Sequence, residues 1–282
     1  WRGLYRQVMR DHLWCSDERA SLLGRDPCSE DFDRPRMSAV MISKRPHLLA
    51  KCLETFRGQS WPDRELVLVL NVDTLPDELP PLCENERLFV VPEHFNIGRC
   101  LNMAIDAATG HYWAKMDDDD YYSATYLEEY AWYYRATQAD TLGRQSVYFY
   151  FDGADCTKAR FSSVRRCRRA LESGEFVAGA SLSGQRQASL PRFSNHYRNS
   201  ADFYWMKSLW EKGKRIFSYD STSIVVFRDA SEDNHTWMAS GVSAMTREFS
   251  TLTQGNIFPR IEKGDPVLCR AESREGREEE GG

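Results

Sequence analysis

Between Met37 and Asp120, short apolar runs alternate with segments whose apolar residues recur at helical spacing, and this alternation restricts the fold more than any other feature. Ser38–Ile42 and Glu65–Leu70 are short and almost uniformly apolar, as strands buried on both faces are. Between them Leu48, Leu49, Cys52, Leu53 and Phe56 fall on one helical face, with Pro46 suited to its first turn and Gly58 ending it. Strand, helix and parallel strand make a right-handed βαβ unit. The pattern continues with a strand at Arg87–Val91, a helix over 97–108, a strand at His111–Met116 and a helix over 124–136. The spacing predicts a parallel, doubly wound α/β sheet for this half.

The second half is less regular. Ser146–Phe151, Phe176–Ala180, Arg215–Tyr219 and Ile224–Phe227 read as strands, and 200–212 as a helix ended by Gly213. Residues 1–24 carry an amphipathic helical pattern, and the charged, proline-bearing stretch 25–36 reads as a linker. From residue 262 to 282 the chain is charged and glycine-rich, the composition of a disordered acidic tail.

Charge narrows the partners. Lys and Arg total 37 against 42 Asp and Glu, so the net charge is −5, which argues against a general nucleic-acid binder. No run of eighteen apolar residues suggests a spanning helix. The eight cysteines form no C-x-x-C pair and read as thiols in a reducing cytosol, giving a cytoplasmic expectation, with a membrane-proximal acceptor left open. The start at Trp1 reads as a fragment boundary, so targeting is not legible.

Asp117–Asp120 is the strongest chemical signal. The run stands at the carboxyl end of a predicted central strand, where open α/β sheets bind ligands. Four like charges repel unless a cation compensates them, and an Asp-x-Asp pair suits a hard divalent ion that also grips a diphosphate. Asn71 and Asp73 follow the second strand, where Asp73 fits a base or ribose contact and an Asx turn equally well. Asn96-x-Gly98-Arg99 opens a helix whose N-terminus and Arg99 suit an anion, or serve as a cap and an exposed cation. Asp202 opens the late helix, where an acidic residue is also expected on dipole grounds. Lys158–Arg169, with six cationic residues, reads first as a solvated loop or helix face.

The segments SAVMISKRP, FRGQSWPD, ELVLVLNVD, FNIGRCLNMAIDAATG and HYWAKMDDDD resemble, in order and spacing, the family 2 glycosyltransferases of the GT-A fold. DNHTW at 233–237 extends the resemblance, which is nearest to a bacterial branch fused to another glycosyltransferase-like module. The resemblance implies a GT-A domain over 37–261, with a nucleotide-binding half at 37–135 and an acceptor half at 136–261. It implies that Ser43, Arg45, Asn71, Asp73 and Asp117 meet a UDP- or GDP-sugar, and Arg99 and Asp118 are expected to join them in binding it. Asp117, Asp119 and His235 would hold Mn2+ or Mg2+. The family's general base comes from an E-D-x-D-F element, and here Asn199-Ser200-Ala201-Asp202-Phe203 keeps only the final Asp. Asp202 is therefore the expected base of an inverting, metal-dependent transfer to a carbohydrate or other hydroxyl acceptor. The missing pair motivates a rival expectation, a non-catalytic module that binds a nucleotide sugar or a partner domain.

Overall fold

The computed structural model describes residues 34–160, 169–186, 189–196, 200–219, 223–229 and 249–263. The helix read over 1–24, most of the linker and the stretch from 264 onward lie outside them. In chain order the first half holds β1 (Met37–Ser43), α1 (Leu49–Arg57), β2 (Arg64–Asn71), β3 (Glu86–Val91), α2 (Ile97–Ala107) and β4 (Tyr112–Asp117). There follow β5 (Tyr121–Tyr122), α3 (Tyr126–Thr137), β6 (Thr141–Gly143), β7 (Tyr148–Phe151), β8 (Cys156–Arg160), β9 (Arg169–Ala170) and β10 (Ser183–Gln185). The last described elements are α4 (Ala201–Glu211), β11 (Ile216–Ser218), β12 (Ile224–Arg228), β13 (Phe249–Gln254) and α5 (Phe258–Lys263).

The main sheet has the order β10-β4-β1-β2-β3. Its four first-half strands are parallel, and β10 joins β4 antiparallel. The period of two along each strand divides its residues between two cores. Met37, Ala39 and Met41 of β1 and Leu66, Leu68 and Leu70 of β2 pack with α1 and α3. Val40, Val67 and Val69 face the other way, toward α2 and α4. Helices thus cover both faces, which is why these strands read as continuous apolar runs. Each of these Val, Leu and Met side chains contributes about 1.5–3 kcal/mol relative to exposure.

Two smaller sheets, β6-β11-β9 and β13-β8-β7-β12-β5, complete the described fold. Here the sequence reading needs correction. Phe176–Ala180 is not a strand, because its apolar residues pack sideways: Val177 enters the α2/α4 core and Phe176 stacks on Phe203 at 5.0 Å. The chain makes a 3₁₀ turn at Gly179–Ser181, and the strand comes after it, as β10. Lys158–Arg160 lies in a strand paired on both sides rather than in a loop or helix face. The strand expected from Ser146 starts at Tyr148, and α5 runs through Lys263, past the point where the tail was read to begin.

Two buried charge networks brace the molecule. Glu65 accepts from Ser38 Oγ at 2.6 Å, Thr109 N at 2.5 Å and Gly110 N at 3.1 Å, and pairs with Arg87 at 2.7 Å. It ties the start of β2 to β1 and to the turn before β4. Arg144, fully buried, pairs with Glu129 at 3.0 Å and stacks among Tyr126, Tyr130 and Tyr219. No helix among the described residues is long and apolar enough to cross a membrane.

Candidate active site

The strand register sets the site. Ile42 pairs with Asp117, Ser43 with Leu70, and Asn71 with Val91, so the parallel strands end nearly level. The chain builds outward from β1 through β2 to β3, then returns to place β4 on the other side of β1. The crevice between β1 and β4 is therefore the topological switch point, where open α/β sheets bind ligands. Ser43 and Arg45 lie on one lip and Asp117–Asp119 on the other.

The four aspartates separate into different environments. Asp118 is 6% exposed and accepts hydrogen bonds from Ser43 Oγ at 2.5 Å and from Arg45 Nε at 3.0 Å, with a second contact from Arg45 Nη2. Asp119 Oδ2 lies 3.0 Å from the same Arg45 Nη2, and its backbone carbonyl accepts from Lys51 Nζ at 2.8 Å. Asp120 is buried and accepts from the backbone N–H of Phe227 at 2.9 Å, fastening β12 to the turn. Asp117, two residues from Lys115 and so on the same face of β4, pairs with its ammonium. The Asp117 N–H donates to the Tyr122 hydroxyl at 2.7 Å.

Burial raises the pKa of the Asp117 carboxyl; Lys115 opposes this, and Asp119 adds to the rise. Asp120 is held well above the usual carboxylate range by burial, then by Asp119 and Asp117. Burial works against the charge on Lys115, but Asp117, Asp120 and Asp202 outweigh it and lift its pKa. Arg45 follows the same pattern: burial opposes its charge, and Asp118 and Asp119 prevail.

Asp202 comes from the first turn of α4, after Ser200 at the N-cap position. Its carboxylate lies on Gly179, where an added Cβ would fall 2.4 Å from Asp202 Oδ2. It is also one of the three carboxylates acting on Lys115. Asp202 acts on Lys115 through its field, while the lysine's ion pair is with Asp117.

The structure brings Ser43, Arg45, Asp118 and Asp119 together, with Asp117 beside them at the end of β4, and places Asp202 against Gly179 in the turn before β10. Asn71 and Asp73 sit at the same sheet edge but bond to the segment after β3: Asn71 Nδ2 donates to the Pro92 carbonyl at 2.5 Å, and Asp73 accepts from Glu93 N at 2.9 Å. Arg99 stacks over the Phe95 ring at 3.4 Å, while Asn96 caps the helix through the Arg99 N–H at 2.9 Å. His235 lies outside the described residues. Lys115 and Lys51 were not among the expected site residues. Period-two spacing before Asp117 points to Lys115, whereas nothing in the sequence marks Lys51.

Among the described residues no three His, Cys, Asp or Glu side chains form a ready metal cage. The donor set still suits a hard divalent ion. Asp117 and Asp119 offer carboxylate oxygens, and burial first, with repulsion from Asp119 added to it, penalises the charge on Asp117 and Asp120, a cost that a cation relieves. An ion of the magnesium type is commonly held by one or two carboxylates together with substrate phosphates.

The model of the family described as glycosyl transferase family 2 matches residues 39–192, more than half of the chain. Among solved structures, residues 1–349 of S. aureus TarS align with a TM-score of 0.53 at 14% identity, covering 68% of this chain and 60% of that one. The same protein in complex with UDP-GlcNAc gives 0.51 at 14%, covering 70% and 59%. The mannosyltransferase PcManGT from Pyrobaculum calidifontis, in complex with GDP-Man and Mn2+, gives 0.53 at 16%, covering 94% and 76%. The chain therefore spans about 60% of the TarS segment. No curated protein matches it significantly. The family match over 39–192 and the sheet order built around β1 and β4 lead to one conclusion: the chain belongs to glycosyl transferase family 2 and has its GT-A fold.

Proposed function

We propose that the protein transfers a sugar from a nucleotide-diphosphate sugar to a hydroxyl of a carbohydrate or similar acceptor, with inversion at the anomeric carbon and dependence on a divalent metal. The observation that carries this reading is the meeting of Ser43, Arg45, Asp118 and Asp119 at the mouth of the β1/β4 crevice, beside Asp117. The complexes of TarS with UDP-GlcNAc and of PcManGT with GDP-Man support a donor of this class.

In this mechanism the donor's nucleotide lies along Ser43, Arg45 and the Asp117–Asp118 edge. Arg45, Lys51 and Lys115 supply positive charge around the leaving diphosphate. Bound through Asp117 and Asp119, Mn2+ or Mg2+ would add to the stabilisation of that leaving group. Asp202 takes the proton of the acceptor hydroxyl as its oxygen attacks the anomeric carbon from the side opposite the diphosphate. Lys115 pairs with Asp117 and holds that carboxylate in place at the donor site.

The test is nucleotide release from a panel of UDP- and GDP-sugars, with Mn2+ and with chelator. Metal-dependent release that is lost in Asp119→Asn supports the reading. Nucleotide-sugar binding without turnover, in the presence of a broad set of acceptors, would leave the non-catalytic module instead.

A further inference from the structure

We propose that Arg45 is a tethered counter-cation that occupies the Asp118 and Asp119 carboxylates in the donor-free enzyme and exchanges them for the diphosphate when metal and donor enter. The inference rests on the metal-dependent reading above.

Three observations carry it. First, the Arg45 guanidinium bridges two of the four aspartates: Nε and Nη2 meet Asp118, and Nη2 meets Asp119 at 3.0 Å. Asp119 Oδ2, an oxygen suited to a divalent ion, therefore already faces a positive charge. Second, the bridge is positioned by the chain. The Arg45 N–H donates to Ser43 Oγ at 3.0 Å, and Ser43 Oγ in turn donates to Asp118, so the end of β1 and the two residues after it aim the side chain at the turn after β4. Third, the Arg45 side chain remains 27% exposed, at the mouth of the crevice, so its head can turn outward without unpacking the core. A guanidinium is a planar fork that suits carboxylate and phosphate alike.

These features give one residue two successive partners. Without donor, Arg45 offsets part of the aspartate repulsion and competes with a free metal ion. With the donor present, the diphosphate offers Arg45 an equivalent partner, and Asp119 is released. Metal and nucleotide should then bind together far better than metal alone.

Mn2+ binding measured by electron paramagnetic resonance, alone and then with UDP or GDP, tests this without reference to turnover. Wild type should bind Mn2+ weakly alone and more tightly with one of the nucleotides. Arg45→Gln should bind Mn2+ alone roughly tenfold more tightly, about the value of one charge-assisted bond, and should lose most of the gain on adding nucleotide. Arg45→Lys, which keeps the charge without the fork, should fall between. A melting curve confirms that each variant is folded. Arg45→Gln binding Mn2+ alone no more tightly than wild type overturns the proposal. Wild type that binds no Mn2+ even with either nucleotide overturns the metal-dependent reading itself, and the proposal with it.

Discussion

Asp118 and Asp120 are near neighbours in sequence and opposites in energy. Asp118 receives Ser43 and both ends of the Arg45 fork, so Asp118→Asn removes charge-assisted bonds and should cost about 1–3 kcal/mol, read as a lower melting midpoint. Asp120 is buried near two other carboxylates, yet an amide oxygen can still accept the Phe227 N–H. Asp120→Asn should therefore raise the midpoint at neutral pH, by about 2–4 °C for each kcal/mol of repulsion relieved. For Asp202, the helix start alone does not separate a base from a cap. Asp202→Asn should preserve donor affinity and lower the transfer rate by roughly 10²–10⁴ if the carboxylate is the base. A wild-type rate in that variant would remove Asp202 from the mechanism. The aspartate run was legible as a cluster because charge density is a local property. Its division was not, because Ser43, Arg45 and Phe227 reach it from distant parts of the chain. Repulsion among these carboxylates adds to the burial that raises Asp117 and Asp120, and Arg45 and Lys115 oppose it through their ion pairs with Asp118, Asp119 and Asp117.

At the level of elements, the parallel strands were readable because both of their faces are apolar. Leu66, Val67, Leu68, Val69 and Leu70 all point into one core or the other, so no other conformation hides them as well. β10 was not readable, since Ser183-Gly184-Gln185 has no hydrophobic signature and pairs only because β4 offers an edge. The turn before β10 has a functional consequence. Gly179 leaves room for the Asp202 carboxylate, and a methyl group there would contact its flexible end rather than backbone. Gly179→Ala should thus leave the melting midpoint within a few degrees of wild type while moving the carboxylate. A displacement of about 1 Å can cost on the order of 10²-fold in rate. Steady-state kinetics beside a thermal melt checks both halves of that expectation. A large loss of stability with unchanged turnover would contradict it.

For the whole molecule, one source of pH dependence lies at the end of the sheet remote from the site. Burial alone would raise the Glu65 pKa, but the Ser38 hydroxyl, the Thr109 amide and Arg87 outweigh it and hold it low. Its contribution is therefore complete above the unfolded carboxylate value, about 4.3, and is lost as pH falls through the lower folded value. Glu65→Gln should be less stable than wild type at pH 7 by about 1–3 kcal/mol, and the gap should narrow in acid. Urea unfolding at the two pH values measures it. The main sheet is also shared between the two halves of the sequence. Lys115 N donates to the Leu182 carbonyl at 2.8 Å, Ser183 Oγ donates to the Leu142 carbonyl at 2.9 Å, and Tyr134 meets Ser183 at 2.7 Å. The strand bearing Lys115 and Asp117 thus has a neighbour encoded far downstream. A gene cut after Thr137 would yield a first piece with an open sticky edge and a second piece with an orphaned strand, each prone to precipitate alone. Recombination that gives this first half a new second half must therefore carry a matching replacement for Leu182–Gln185, which limits the crossovers available to evolution and to the protein engineer alike.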